Sequence, residues 1–173
     1  MPASTIAAPA FRRARLRTVR TCAALATLSL AAACGDDPDV EDEPEIASVR
    51  LTVTPPGGAA QNYVLRTTGT NPTIALRVGT NAVSAVALDD DNQTISLGSD
   101  FELRIVRSVS VVGASEVETP LTGAVTFTRT GGLAGSLVAT GAVTPAATAM
   151  LRIFHTGEGH GDFEPTINYT VTP

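Results

Sequence analysis

In run after run between Val49 and Val171 apolar residues recur at every second position, and that period constrains the chain more than any other feature. Val49, Leu51 and Val53 alternate with Arg50, Thr52 and Thr54. Ile74, Leu76 and Val78 alternate with Ala75 and Arg77, and Phe101, Leu103 and Ile105 with Glu102 and Arg104. Val125 and Phe127 flank Thr126, Leu151 and Ile153 flank Arg152, and Ile167, Tyr169 and Val171 alternate with Asn168 and Thr170. Successive side chains of a strand point to opposite faces, so each run has one buried face and one wet face of threonine and arginine. Turn-forming clusters separate the runs: PPGG at 55–58, GTN at 79–81, DDDNQ at 89–93, GSD at 98–100 and TGG at 130–132. No segment after Cys34 has a helical period. The expected fold is all-β, a single antiparallel β-sandwich of about eight or nine short strands, with a small β-barrel as the alternative. It would occupy 46–173, a length that suits one domain with its own core.

The residues before it have a different character. Arg12, Arg13, Arg15, Arg17 and Arg20 precede any acidic residue, and Thr21 to Ala33 then reads TCAALATLSLAAA. Those 13 residues span about 20 Å as a helix, short of the ~20 residues a membrane-crossing helix needs. Leu25, Leu28 and Leu30 sit among alanines with no polar face opposite, which argues against a buried amphipathic helix. A basic region, a short apolar region and small residues before a cut describe a helical secretory signal peptide over 1–33. Arg12-Arg13 follows Phe11 and is read as ordinary leader charge rather than a twin-arginine export signal.

LAAAC, Leu30 to Cys34, resembles the lipobox of bacterial lipoproteins. In that family a dedicated peptidase cuts before the cysteine, whose sulfur carries a diacylglycerol and whose new amine takes a fatty acyl chain such as palmitate. The resemblance therefore makes Cys34 the lipidation site and the membrane a partner through the anchor. Ala31-x-Ala33 also fits an ordinary signal peptidase, which would cut the same bond and leave a free thiol. The other cysteine, Cys22, lies in the discarded segment, so the mature chain has no internal disulfide. By the same resemblance Gly35, in place of aspartate, favours the outer membrane, facing either the periplasm or the cell surface. The CGDD start is also similar to that of small lipoproteins of unknown activity.

Residues 35–45, GDDPDVEDEPE, hold seven carboxylates among eleven residues, with Pro38 and Pro44 interrupting any helix. Such a segment repels itself and buries nothing. With Cys34 it reads as a disordered acidic tether over 34–45; the alternative is an acidic tail that binds calcium or a partner.

Charge and aromatic content limit what the domain can do. All 12 basic residues of the chain are arginine, seven of them after Cys34, set against ten acids in 46–173. A weakly acidic domain without a basic cluster argues against nucleic-acid binding. Tryptophan is absent and tyrosine occurs twice, which leaves little stacking surface for sugars or bases. IASVRLTVTPPG and NAVSAVALDDDNQTIS resemble the opening strand and a later strand of bacterial immunoglobulin-like domains, which implies an immunoglobulin-like sandwich.

No nucleophile motif, phosphate-binding loop or recognisable acid/base carboxylate pair occurs, so a non-enzymatic interaction or structural module is expected. Its partner would be an unidentified protein or envelope component, and the domain a monomer. DDDNQ has too many consecutive acids for an EF-hand loop. One loop could hold chemistry. FHTGEGHGDFEP at 154–165 contains both histidines of the chain. In an extended backbone Glu158, His160 and Asp162 would point one way, near His155. Two imidazoles and a carboxylate suit a zinc or copper ion, so the alternative function is metal binding through His155, His160, Asp162 and Glu158. The competing reading is a solvated connection between strands.

Overall fold

The computed structural model describes residues 45–173; the expected signal peptide, Cys34 and all of the expected acidic tether except Glu45 lie outside them. Eleven strands follow one another: β1 Ser48–Thr54, β2 Gln61–Leu65, β3 Thr73–Arg77, β4 Gly79–Leu88, β5 Phe101–Val112, β6 Ser115–Pro120, β7 Val125–Gly131, β8 Ala134–Ala139, β9 Val143–His155, β10 His160–Phe163 and β11 Thr166–Thr172. They form two sheets, one in the order β2-β1-β4-β8-β7 and the other β3-β11-β9-β5-β6, with β10 added to β9. Neither sheet closes on itself, so the barrel alternative is set aside and the domain is a β-sandwich. The described residues contain no helix.

The alternating pattern produces this core. Val49, Leu51 and Val53 of the first sheet are fully buried, as are Leu103, Leu151 and Ile153 of the second, and all belong to one apolar cluster. Burying each such side chain contributes about 1.5–3 kcal/mol. The DDDNQ turn forms without a glycine, because Asn92 takes the left-handed conformation (φ 59°) and Asp89 Oδ1 accepts from the Gln93 amide at 2.8 Å.

Five expectations need correction. There are eleven strands rather than eight or nine. One pair is parallel: β3 runs alongside β11 in register from Thr73↔Asn168 to Arg77↔Thr172. GTN at 79–81 is no turn; it opens β4, where the chain leaves the second sheet for the first. Val78, the single residue between β3 and β4, is 41 % exposed and does not continue the core face. Gly79 turns this corner at φ +112°, with Pro56 Cγ 2.9 Å from where a Cβ would sit. Buried Asn81 completes the corner: Oδ1 accepts from the Arg77 amide at 2.9 Å, and Nδ2 donates to the carbonyls of Arg77, Gly79 and Leu137 at 2.8, 3.2 and 3.2 Å. The fifth correction is Arg152, expected on the wet face and fully buried instead.

Candidate functional site

β9 ends at His155, a turn over 156–159 closes with the Gly159 amide donating to the His155 carbonyl at 2.9 Å, and β10 begins at His160. His160 therefore lies opposite His155 in the ladder. Their surroundings differ. His155 is nearly buried and stacks on Phe101, its partner across the β5/β9 ladder, with centroids 4.5 Å apart. Its Nε2 lies 2.7 Å from Asp100 Oδ2. His160 is exposed, with Nε2 2.6 Å from Glu158 Oε2 and Nδ1 2.9 Å from Asp162 Oδ1. Glu158 Oε2 and Asp162 Oδ2 each stand 4.0 Å from His155 Nδ1.

All four residues singled out from the sequence are thus gathered at one end of the second sheet. They are gathered as imidazole–carboxylate pairs. Among the described residues no three of His, Cys, Asp or Glu are arranged to hold a metal ion. Of the residues expected for a zinc or copper site, His155, His160, Asp162 and Glu158, the structure corrects only the backbone that was to align them: the chain turns between 156 and 159 instead of running extended, and His160 meets a carboxylate at both ring nitrogens. The Glu158 hydrogen bond, helped by the charge of Asp162, raises the His160 pKa above its ordinary value despite some desolvation. Asp100 is held below the usual carboxylate range, chiefly by its hydrogen bond to His155. The Thr156 amide and hydroxyl both donate to the Asp100 carbonyl, at 2.8 and 2.9 Å, which ties the hairpin to the start of β5.

A larger charged constellation lies beside the hairpin on the outer face of the second sheet. Arg104 of β5 and Arg152 of β9 are direct cross-strand partners, an arrangement that like charges make unfavourable. Carboxylates resolve it. Arg152 pairs with Glu116 and Glu118 of β6 and with Glu164 after β10. Glu118 also meets Arg104 at 3.1 Å, Arg104 meets Glu102 at 3.2 Å, and Glu102 meets Arg129 of β7 at 2.7 Å. The Arg104 guanidinium lies 3.4 Å from the Phe154 ring centroid, and that of Arg152 5.1 Å away. Burial disfavours the charged form of Arg152, but the hydrogen bonds to Glu116, Glu164 and Glu118 outweigh it and hold the pKa above the ordinary arginine value. Gly161 covers the group, and a Cβ there would come within 2.9 Å of Arg152 Nη2.

The arrangement is a clasp more than a receptor. Arg152 Nε donates to Glu164, Nη1 to Glu118 and Nη2 to Glu116, so the fork that would bind an external anion is occupied from within. Reading the sequence missed Arg152, its carboxylates and Asp100. The available signal was opposite charge at period two, Glu102/Arg104 on one strand and Glu116/Glu118 on another. No family model, curated protein or solved structure matches the chain.

Proposed function

We propose that this chain is a non-enzymatic lipoprotein of the bacterial cell envelope, in which a β-sandwich interaction or structural module is held to the outer membrane through Cys34. The observation that carries this reading is LAAAC at 30–34, placed between a basic and then apolar leader and the carboxylate-rich run 35–45. Two features of the domain support the non-enzymatic part. The polar side chains of the 155–162 hairpin pair with one another and with Asp100. The buried guanidinium is occupied by three carboxylates. Three of the domain's seven arginines pair with glutamates, which leaves little basic surface for nucleic acid. The described residues contain no helix long and apolar enough to cross a membrane.

Fractionation tests the anchor. The wild-type chain is expected in the membrane fraction and labelled by a fatty-acid probe at Cys34; Cys34→Ser is expected to be soluble and unlabelled. A Cys34→Ser chain that stays with the membrane overturns the reading.

A further inference from the structure

The second sheet is not joined across its whole width. β5 and β9 pair from Phe101↔His155 to Val106↔Met150 and then part. Beyond that point β5 pairs only with β6, from Ser108 to Val112, and β9 only with β11, from Ala149 to Val143. Two strand edges therefore face each other across a fork. Among the described residues, no backbone group of 107–112 or 143–149 makes a backbone hydrogen bond outside these ladders. A free strand edge presents unpaired amides and carbonyls, the template on which an added strand pairs; on β9 the row of donors is interrupted at Pro145, which has no amide hydrogen, and runs on through Ala146, Ala147 and Thr148.

The fork encloses a cleft of about 460 Å³, lined by Arg107 on the β5 side, Ala146, Ala147 and Thr148 on the β9 side, and Leu121 and Tyr169 at its buried floor. That volume lies within the range of ligand sites. Arg107 is the sole charged residue of the lining. It differs from Arg104, Arg129 and Arg152: its Nη2 donates to the Thr122 carbonyl at 2.8 Å, and no carboxylate pairs with it among the described residues. The cleft thus offers a hydrogen-bonding edge, an apolar floor and one cation not neutralised by a carboxylate.

We infer that this fork binds an extended acidic peptide, which adds as a strand along the free β9 edge and sets an aspartate or glutamate side chain against Arg107. The inference deepens the interaction-module reading and rests on it, while loss of peptide binding with Cys34 labelling intact would sink the fork alone.

The probe is an acetylated and amidated hexapeptide of alternating threonine and valine with one central aspartate, titrated into the full chain. Hydrogen exchange read by mass spectrometry is expected to slow in 143–149 on binding. Changing the peptide's aspartate to asparagine should weaken binding about tenfold, the loss of one charge-assisted hydrogen bond. Arg107→Gln should remove that tenfold preference at an unchanged unfolding midpoint, and Arg107→Lys should restore part of it. No protection of 143–149, or protection confined to another segment, overturns the proposal. So does a backbone N-methylated peptide that binds equally well, since the cleft would then read a carboxylate without a strand. Protection that appears without peptide and grows with protein concentration also overturns it, by showing that a second copy fills the fork.

Discussion

Arg152 faces one like charge and three opposite ones. Its cross-strand neighbour is another arginine, and three carboxylates surround it. Removing one partner of a buried charge set leaves the others uncompensated, so Arg152→Ala should cost about 3–5 kcal/mol in urea unfolding. Arg152→Met fills the volume and should still destabilise, because Glu116, Glu118 and Glu164 would then repel one another. Combining it with glutamine at those three positions should recover most of the loss, and failure to recover would mean that the arginine acts through packing instead of charge. The histidine hairpin responds to pH in a window set by two groups. His160 has a raised folded pKa, so its contribution is complete below the unfolded value of 6.5 and is lost as pH rises through the folded value. Asp100 has a lowered one, so its contribution is complete above 3.8 and is lost as pH falls through the folded value. Amide protection in 155–163, corrected for intrinsic exchange, should therefore be greatest between pH 3.8 and 6.5. His160→Gln should flatten the alkaline limb alone.

The strands divide by how openly the sequence declares them. β1, β5 and β11 were legible because each carries three apolar residues at period two and buries all three. β6 and β8 were not, since SEVETP and AGSLVA spread their alternation over charged and small residues. The β3–β4 corner misled for another reason: Val78 extends the apolar period of β3 by one step, yet the chain changes sheets there and exposes it. Arg152 was illegible because local alternation assigns it to the wet face, and the glutamates that bury it come from residues 34 and 36 positions earlier and 12 later. In the same way the gathering of His155 with His160 could be read from a spacing of five, whereas Asp100, 55 positions away, could not. The sheet-switching corner predicts its own weak point. Asn81→Ala would strip hydrogen bonds from the Arg77 amide and from three carbonyls. Each buried group left unsatisfied costs about 1–3 kcal/mol, so the loss in urea unfolding should exceed about 2 kcal/mol. Asn81→Asp keeps the acceptor but loses the donors and should be no better; wild-type stability in either variant would mean that water replaces the side chain.

At the scale of the whole domain, the two ends of the described chain are built into the interior of different sheets. β1 lies between β2 and β4, and β11 between β3 and β9. Every residue of the apolar cluster falls between Val49 and Val171. The seven carboxylates of 35–45 stand before all of them, in a stretch that offers Val40 as its only large apolar side chain. Deleting 36–45 should therefore leave the thermal midpoint of the domain unchanged. The measurement is sensitive enough to decide, since a docked segment contributing ~1 kcal/mol would move the midpoint of a domain this size by roughly 4 °C. Truncation after Pro165 is the contrasting case. It removes Ile167, Tyr169 and Val171 from the core and takes from β3 its only ladder partner among the described residues, so no cooperative transition should survive. A midpoint that falls on deleting 36–45 would show that the acidic run docks on the sandwich, and the tether would then be part of the fold it was read as carrying.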